Sequence, residues 1–299
     1  MTPERQVVDV GGRQVRVSHL DKVMYPTTGT TKAEVIDYLV RVSSALLAQL
    51  HERPVTRIRW PDGVAGEQFF EKNVPRGAPS WVRHLDLPAS PDEEAGTRLD
   101  LPFLDDLAAL VWAANAGALE LHTPQWTVGR RGKVRPPDRL VVDLDPGPPA
   151  GLDECAAVAH LVADRLRTDG FDEVVPVTSG SKGLQLYAPL PAGRGVRDRV
   201  GDVREYARTL ARSLAADHPR LVVAVMRKDL RSGKVLLDWS QNHLAKTTIT
   251  PYSLRGRELP RVAAPRWWDE IGPGLQQLSP DEVARRLVER GDPFATGAT

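Results

Sequence analysis

The sequence predicts a mixed α/β (α+β) fold in which β-sheets are flanked by helices. Residues 139–190 carry short apolar segments, with one long helical pattern between the first and the second; this is typical of a strand–helix–strand unit with a right-handed crossover. The chain is 41% hydrophobic and 26% charged, as packed globular proteins are. No repeat or low-complexity linker divides the sequence, so we expect one domain over residues 1–299.

Composition disfavours several classes of protein. The formal net charge is +1, whereas nucleic-acid-binding domains are often basic overall, so charge alone does not indicate a nucleic-acid partner. No apolar run reaches the roughly 18 residues of a membrane-spanning helix, and the opening MTPERQVVDVGG lacks the apolar core of a signal peptide. Cys155 stands alone, which leaves neither a disulfide framework nor a cysteine zinc site. We therefore expect a cytoplasmic protein with no membrane partner.

The N-terminal part predicts two helices, a strand and an exposed loop. Apolar residues recur with helical spacing across residues 32–50, and Thr31 is suited to cap that helix. A second helix is predicted over residues 104–116, followed by the strand ALELHTPQW (118–126). The segment PASPDEEAGTR (88–98) is rich in turn-forming residues and predicts an exposed loop.

The middle of the chain predicts the elements of the α/β core. In chain order they are a strand over 139–145, a helix over 153–168, a strand over 173–178, a strand over 183–190 and a helix over 198–214. Two further strands, RLVVAVM (220–226) and KVLLDW (234–239), are predicted to form a hairpin around KDLRSG.

A last helix is predicted near the C-terminal end of the sequence. Ser279 and Glu282 have the spacing of a capping box, with Pro280 at the first helical position. The apolar pattern of VARRLVER follows directly, so the helix is expected to begin at this motif.

Two acids end the first core strand, in LVVDLDPGPP (140–149). Alternate residues of a strand share a face, so Asp143 and Asp145 point the same way at the carboxyl end of the strand, where open α/β sheets bind ligands. Like charges this close repel each other, but a divalent cation such as Mg²⁺ binds carboxylate oxygens and keeps waters for a phosphate. Asp238 ends another apolar strand, so three carboxylates could hold two metals. The alternative for the two acids alone is a capped strand end with solvated carboxylates.

Two segments could bind phosphate groups. The turn in VTSGSKGLQLY (177–187) joins two strands, and its small residues allow backbone N–H groups to approach an anion that Lys182 could also reach. The spacing of a Walker A loop is absent, and the alternative is an ordinary turn. In SLRGR, Arg255 and Arg257 offer guanidinium groups to phosphate oxygens, and the alternative is a surface turn.

Two further features could contact a nucleotide base or sugar. Phe69 and Phe70 are adjacent in EQFFEK; neighbouring residues of an extended segment face opposite ways, so one is expected in the core and the other free to stack on a base. His122 is either a hydrogen-bonded core histidine or a polar contact to the nucleotide.

Taken together, these motifs resemble one family. DKVMYP, TTGTTK, FFEK, LELHTPQW, LVVDLDPG, VTSGSKGL, VLLDWSQN and KTTITPYSLRGR occur in this order. Over about residues 18–291 the chain is similar to the polymerase domain of bacterial ligase-D-type enzymes, within the archaeo-eukaryotic primase superfamily. DLDPG, SGSKG and DWSQN in this order are the most specific part of the resemblance, which implies a primase-polymerase-type domain with a primase-like catalytic core.

The resemblance implies a template-directed nucleotidyltransferase of non-homologous end joining. It would add nucleotides, with ribonucleotides preferred, to DNA 3′ ends or short 5′-phosphorylated gaps. Two divalent cations, Mn²⁺ or Mg²⁺, would be the cofactors, and nucleoside triphosphates and DNA the ligands. Bacterial Ku and an ATP-dependent DNA ligase would be partners, in a cytoplasmic, nucleoid-associated location. Because no ligase or phosphoesterase domain is present, we expect either a stand-alone polymerase or a fragment.

The resemblance also assigns functional positions. They are the catalytic, metal-binding acids Asp143, Asp145 and Asp238; the nucleotide contacts His122, Ser179, Lys182, Gln241 and Arg255; the base-stacking pair Phe69 and Phe70; the 5′-phosphate contacts Lys22 and Lys32; and the DNA contact Arg231, in the hairpin loop near the primer terminus.

Three positions depart from the pattern of the family. Gln185 stands where the family usually has histidine, and an amide can hydrogen-bond but cannot become cationic at physiological pH. Ile58 lies in a basic patch where relatives can carry lysine, which predicts weaker phosphate binding. The loop PDEEAG (91–96) is acidic where relatives use a similarly placed loop to handle DNA ends.

Two competing functions are kept beside the polymerase. One is a DNA-end binding or bridging module of the same fold with weak synthesis, for which Gln185 is the motive, although such a module gains nothing from retaining three acids. The other is a phosphohydrolase or glycosyltransferase that uses the DxD motif. Phosphohydrolases with an aspartyl nucleophile usually carry that motif near the start of the chain, unlike this sequence.

Overall fold

The computed structural model of the chain describes residues 5–92, 97–190 and 202–296. The chain divides into two compact units. The first unit comprises residues 1–135, 247–263 and 279–290, and the second comprises residues 136–246, 264–278 and 291–299. The expected single domain over residues 1–299 stays a prediction.

In its described residues, the first unit contains a four-stranded antiparallel sheet, two-stranded ribbons and four α-helices that contact them or each other. Its strands are β1 (Arg5–Val10), β2 (Arg13–Ser18), β3 (Val23–Tyr25), β4 (Thr30–Thr31), β5 (Thr56–Arg59), β6 (Phe69–Glu71), β7 (His84–Pro88), β8 (Arg98–Pro102), β9 (Ala118–Thr123), β10 (Thr127–Val128), β11 (Val134–Arg135) and β17 (Thr248–Ile249). Its helices are α1 (Lys32–Arg41), α2 (Ser43–Leu50), α3 (Leu107–Asn115) and α6 (Pro280–Arg290). The sheet has the order β17-β9-β5-β6, with β6 at one edge.

The helix predicted over residues 32–50 is two helices, α1 and α2, so the single span is wrong. Thr31 caps α1 as predicted, because its side chain accepts the Glu34 N–H and the Glu34 carboxylate accepts the Thr31 N–H at 2.7 Å. The break lies at Val42, where φ is −99° and ψ is 5°. Val42 is fully buried, so the apolar spacing continues through the junction and cannot reveal it.

The second unit contains a six-stranded mixed sheet with helices against it. Its strands are β12 (Arg139–Pro146), β13 (Val175–Thr178), β14 (Leu184–Pro189), β15 (Val222–Val223), β16 (Val235–Asp238) and β18 (Ala264–Pro265), and its helices are α4 (Leu152–Thr168), α5 (Val203–Asp217) and α7 (Pro293–Thr296). The sheet order is β15-β16-β12-β14-β13-β18. Strand β14 lies between β12 and β13 and is antiparallel to both, so the strand–helix–strand unit spans one intervening strand.

Strand β12 explains how acids and core residues share one segment. Leu140, Val142 and Leu144 alternate along it and pack into the core with α4 and α5; full burial of each such side chain contributes about 1.5–3 kcal/mol. The alternate positions place Asp143 and Asp145 on the other face, where both are half-buried.

The predicted hairpin around KDLRSG is wrong, because β15 and β16 are parallel. The first predicted strand is reduced to two residues, and a short 3-10 helix over Lys228–Leu230 follows it. The rest of the connection makes hydrogen bonds to the turn after β12. The Gly233 N–H donates to the Gly147 carbonyl at 3.0 Å, and the Gly147 N–H donates to the Lys234 carbonyl. The connection is therefore tied to the turn after β12, and its strands do not pair as a hairpin.

The remaining predicted elements are present, and their ends differ from the predicted ones by a few residues in either direction. The acidic loop lies between β7 and β8, and its residues 93–96 are outside the described part of the chain. The helix predicted over residues 198–214 is seen from Val203, capped by Asp202, and residues 198–201 are likewise outside the described part. In the capping box of α6, the Ser279 N–H and hydroxyl both donate to Glu282 at 2.7 Å. Within the described ranges, no helix has the length and apolarity needed to cross a membrane.

Candidate active site

Three acids and one amide occupy neighbouring positions of the six-stranded sheet. Asp143 on β12 pairs directly with Asp238 on β16 and with Gln185 on β14. Directly opposite residues of antiparallel strands point to one face, with Cβ atoms about 4.5–5.5 Å apart, so these three form a row across three strands. Asp145 shares the face because it lies two residues further along β12. The sheet thus brings the three predicted catalytic acids together, and the four residues are called the acid row below.

Asp145 is held by two cationic side chains. The Lys182 ammonium lies 2.9 Å from its Oδ1, and the Arg231 guanidinium lies 3.6 Å from its Oδ2. Arg231 also donates to the backbone carbonyl of Met226 at 2.5 Å, within its own connection. Two predicted ligand contacts therefore neutralise a predicted metal ligand in this structure.

Asp238 is held by the turn that follows it. The Ser240 N–H donates to its Oδ1 at 2.9 Å, and the Gln241 Nε2 donates to its Oδ2 at 3.1 Å. Lys246 in turn donates to the Ser240 hydroxyl. Gln241, predicted to contact the nucleotide, thus lies against Asp238, one of the predicted catalytic acids.

Gln185 is a buried hydrogen-bond donor to Asp143. Its Nε2 lies 3.0 Å from Asp143 Oδ1, and its Oε1 accepts the Tyr187 hydroxyl at 3.2 Å. Because Tyr187 occupies the acceptor end of the amide, the N–H₂ end faces the acid. Only 5% of Gln185 is exposed. Where the family usually has a titratable histidine, this chain therefore has a neutral amide of fixed orientation that donates a hydrogen bond to Asp143.

The segment Ser179–Gly183, called the phosphate loop below, is braced by hydrogen bonds to its own amides. Ser179 Oγ accepts the N–H groups of Ser181 at 3.3 Å and Gly183 at 3.2 Å. Gly180 N–H donates to the Gln277 side chain at 2.7 Å. Ser181 and Lys182 are the exposed residues of the loop, and 61% of the Lys182 side chain is accessible. Lys182 therefore lies on a turn that hydrogen bonds hold in shape, and its exposed side chain is available to an anion.

Two glycines are required by close backbone approach. A Cβ on Gly183 would lie 2.3 Å from the Leu144 carbonyl oxygen, and a Cβ on Gly147 would lie 2.1 Å from the Arg231 carbonyl oxygen. Neither contact is with a flexible side chain. The glycines of SGSKG and DLDPG thus let the phosphate loop and the connection carrying Arg231 approach β12.

In the first unit, a buried carboxylate links two predicted nucleotide contacts. Glu120 Oε2 lies 2.8 Å from His122 Nε2 and 3.5 Å from the Arg255 guanidinium, while Glu120 Oε1 accepts the Gly256 N–H at 3.0 Å. Burial alone would raise the pKa of Glu120, but the His122 hydrogen bond and the Arg255 charge hold that pKa below its ordinary value. Glu120 is 4% exposed and was not predicted; its place two residues before His122, on the same strand face, was the available signal.

The two phenylalanines are both exposed, so the prediction that one is core is wrong. Phe69 is 42% and Phe70 59% exposed, because β6 is an edge strand of three residues. Phe70 pairs with Ile58, which pairs with Glu120. Phe70, Ile58 and Glu120 therefore form a second row on one sheet face, where an aromatic ring is available for stacking.

The two predicted 5′-phosphate lysines differ in exposure. Lys32 is 5% exposed, and its ammonium donates to the Ser18 and Asn115 carbonyls at 2.9 and 3.0 Å. Burial, and then the charge of Lys22, lower the pKa of Lys32. Lys22 donates to Asp62 at 2.9 Å and keeps a third of its side chain exposed. Their assignment to DNA stays a prediction.

Comparison with known proteins identifies the family. The model of the LigD primase-polymerase domain matches residues 31–294. The chain belongs to the LigD primase-polymerase domain family. Its members are nucleotidyltransferases, so the alternative of a phosphohydrolase or glycosyltransferase is abandoned. The primase-type α/β fold is confirmed by a polymerase domain of Mycobacterium tuberculosis ligase D in complex with DNA, at a TM-score of 0.86, 43% identity, and coverage of 94% of this chain and 97% of that one.

Curated relatives carry the same family name. The multifunctional non-homologous end joining protein LigD of Mycolicibacterium smegmatis is 48% identical over 94% of this chain and 36% of its own length. The bifunctional non-homologous end joining protein LigD of Bacillus subtilis is 34% identical over 94% of this chain and 44% of its own length. The chain thus spans less than half of each of these two LigD proteins.

Polymerase domains of the LigD family depend on metal ions, and the donor chemistry of the acid row fits them. Three carboxylates on one sheet face supply the hard oxygen ligands that Mg²⁺ and Mn²⁺ take. In the described part of the chain, however, no three His, Cys, Asp or Glu side chains are grouped closely enough to hold an ion. The oxygens face Lys182, Gln185 and Gln241 instead, so the residues fit a metal by type, and their side chains must reorient to bind one.

Proposed function

We propose that this chain adds nucleotides to DNA 3′ ends or short 5′-phosphorylated gaps under the direction of a template, with ribonucleotides preferred, during DNA break repair. The observation that carries the proposal is the acid row, Gln185–Asp143–Asp238 with Asp145 beside it, on the sheet that also carries the phosphate loop. The single primase-polymerase-type domain, with its core over about residues 18–291, remains part of this proposal.

The acids and the phosphate loop have distinct roles in this mechanism. Bound Mn²⁺ or Mg²⁺ would be held by Asp143, Asp145 and Asp238, and would supply charge stabilisation at the attacking and leaving oxygens of phosphoryl transfer. Gln185 orients the Asp143 carboxylate. Lys182, whose ammonium pairs with Asp145 in this structure, is proposed to bind the triphosphate with its positive charge in the ground state and in the transition state alike.

The first unit supplies the proposed contacts to base, sugar and DNA phosphate. Phe69 and Phe70 offer ring faces to a base, and such stacking is worth about 1–3 kcal/mol per base. His122 and Arg255, both held by Glu120, offer polar groups to the nucleotide, as Ser179 and Gln241 do in the second unit. Lys22 and Lys32 are proposed for the 5′-phosphate, and Arg231 for the DNA near the primer terminus.

The proposed partners and location rest on the resemblance to the family. Bacterial Ku and an ATP-dependent DNA ligase are the partners that this resemblance implies, and they would hold and seal the ends that a polymerase fills. Because the substrate is chromosomal DNA, the proposed location is cytoplasmic and nucleoid-associated.

A gap-filling assay tests the proposal. A duplex with a short 5′-phosphorylated gap is incubated with ribo- or deoxyribonucleoside triphosphates and Mn²⁺ or Mg²⁺. Extension by the wild type and its loss in Asp143→Ala support the proposal, with Asp164→Ala as the matched control, because Asp164 is an exposed acid of α4 whose carboxylate pairs with Arg167 on the same helix. Equal extension by Asp143→Ala and wild type contradicts it.

A DNA-end binding module with weak synthesis is the second candidate, favoured by the engagement of Asp145 with Lys182 and Arg231. Tight binding that depends on the 5′-phosphate, with extension no faster than in Asp143→Ala, would support that module. Lys22→Ala should reduce affinity for the 5′-phosphorylated gap and lower the salt slope by about one for each phosphate that is no longer neutralised. Equal wild-type affinity with and without the 5′-phosphate rules out the lysine assignment.

A further inference from the structure

Gln277 joins the two ends of the phosphate loop through one side-chain amide. Its Oε1 accepts the Gly180 N–H at 2.7 Å, and its Nε2 donates to the Gly183 carbonyl at 3.1 Å. We propose that Gln277 is a positioning residue for nucleotide binding, which sets the shape of the phosphate loop and thereby the place from which Lys182 reaches the triphosphate. This inference rests on the proposed nucleotide transfer.

The loop depends on an external brace, because its internal bonds converge on one residue. Ser179 Oγ accepts two loop amides, and the Ser179 N–H donates to the Gly183 carbonyl at 3.0 Å. Gly180 has a φ of +69°, a left-handed conformation that only glycine adopts readily. The Gly180 N–H takes no part in the bonds to Ser179 and donates to Gln277, which therefore holds a loop amide that the serine does not bind.

A buried arginine anchors the backbone next to Gln277. Arg266 is 6% exposed, and its Nη1 donates to the backbone carbonyl of Gln276 at 2.8 Å. The backbone N–H of Arg266 donates to the carbonyl of Pro176, on β13, at 2.8 Å. The backbone beside Gln277 is thus anchored to the strand that leads into the phosphate loop, so the amide is held in place before any ligand binds.

The brace acts on Lys182 through the backbone. The Lys182 ammonium bonds to Asp145, whereas the Gln277 amide bonds to backbone atoms at Gly180 and Gly183, on either side of the lysine. A looser loop lets the Lys182 side chain occupy a wider range of positions. This weakens binding of the triphosphate in the ground state and the transition state alike. A change of that kind raises KM and leaves kcat nearly unchanged.

The test compares Gln277→Ala with Gln276→Ala. Gln276 is the matched control because it is the exposed neighbour, and its side chain makes a 3.4 Å hydrogen bond to the Gly274 carbonyl, away from the loop. For Gln277→Ala we expect KM for the nucleotide and the Kd for ATP to rise about tenfold, as two neutral hydrogen bonds are removed, with kcat within about twofold. Amide hydrogen exchange of Gly180 should become faster, while the exchange of β12 stays as in wild type.

A second variant separates the two bonds. Gln277→Glu keeps an acceptor for the Gly180 N–H, loses the donor to Gly183 and adds a negative charge near the proposed triphosphate. We expect Gly180 to stay protected from exchange in this variant, while the Kd for ATP rises by more than in Gln277→Ala.

Each outcome decides the inference. Unchanged Kd and unchanged loop exchange in Gln277→Ala overturn it. Parallel losses of kcat, KM and melting temperature also overturn it, because they indicate a structural role only. If the wild type extends no DNA, the proposed function fails, whereas the exchange and ATP-binding measurements still show whether Gln277 holds the loop for an anion.

Discussion

The two units hold their candidate ligand-binding side chains in different ways. In the first unit, the buried charge of Glu120 holds His122 and Arg255. In the second unit, neutral amides hold Asp143, through Gln185, and the loop that carries Lys182, through Gln277. Asp145 of that unit is paired with the charges of Lys182 and Arg231. The first arrangement depends on the ionisation of its central group, and the second depends on amide orientation.

The difference predicts how each unit responds to substitution and to pH. Removing the buried Glu120 carboxylate takes an opposite charge from Arg255 and a hydrogen-bond acceptor from His122, which is costly. Removing one neutral hydrogen bond costs only about 0.5–1.5 kcal/mol, so its effect should be local and visible mainly in activity.

The largest expected effect is that of Glu120→Ala. Removing one member of a buried ion pair costs about 3–5 kcal/mol, and we expect the lower end because Arg255 and His122 keep 13% and 15% of their side chains exposed. Urea unfolding measures this change. Glu289→Ala is the control, since its pair with Arg285 is solvent-exposed and should contribute under about 1 kcal/mol; similar losses in both variants would refute a central role for Glu120.

Gly183→Ala should follow, and it tests the backbone fit of the phosphate loop. The new Cβ would meet the Leu144 carbonyl oxygen at 2.3 Å, so a strand or the loop must shift, at a cost of about 1–3 kcal/mol in the free energy of unfolding. Gly272→Ala is the control, because its Cβ would meet no atom within 4 Å. If both variants unfold at the same urea concentration, the loop does not rely on this close approach.

Tyr187→Phe should have a smaller effect, seen mainly in activity. It removes the hydroxyl that fixes the Gln185 amide, and about 1 kcal/mol of lost orientation corresponds to roughly a fivefold lower kcat/KM for nucleotide addition. Tyr206→Phe also removes a hydroxyl, one bonded to Asp169 at 2.6 Å, and should leave kcat/KM unchanged. Equal activity of the two variants would show that Gln185 needs no such support.

The smallest expected effect is the pH dependence of stability that Glu120 contributes. The folded pKa of Glu120 lies below its ordinary value, so the stability that its ionisation contributes is fully present above the unfolded pKa of about 4.3. That contribution is lost as the pH falls through the folded pKa. Unfolding free energies of wild type and Glu120→Gln should therefore differ by a constant above about pH 5 and converge in acid. A difference that grows in acid would contradict the lowered pKa.

The sequence was informative where a local pattern and the fold agree. The alternation in LVVDLDPG predicted the strand and the shared face of Asp143 and Asp145, and the cap at Thr31 and the capping box at Ser279 predicted where two helices begin. The acid row also requires that β12 pairs with β16. The sequence suggested that the two strands are neighbours, because Asp143, Asp145 and Asp238 all lie at the ends of apolar strands.

The sequence was uninformative where long-range backbone contacts decide. The break at Val42 is invisible because the residue is buried, and the pairing of β15 with β16 depends on bonds from Gly233 to Gly147. Burial of Lys32 could not be read from a lysine in a polar motif. Gln277 lies 94 residues from the Gly183 carbonyl that it bonds, and no local pattern connects the two.

The thiol of Cys155, which contacts the backbone of β12, has a chemical consequence. Cys155 is fully buried, and its burial, with added repulsion from Asp145 and Asp143, raises the pKa of the thiol to about 12. Peroxides attack the thiolate and not the thiol, so at neutral pH the one cysteine of the chain resists oxidation. We therefore expect reactive oxygen species that break DNA strands to leave this thiol, on the helix packed against β12, unoxidised.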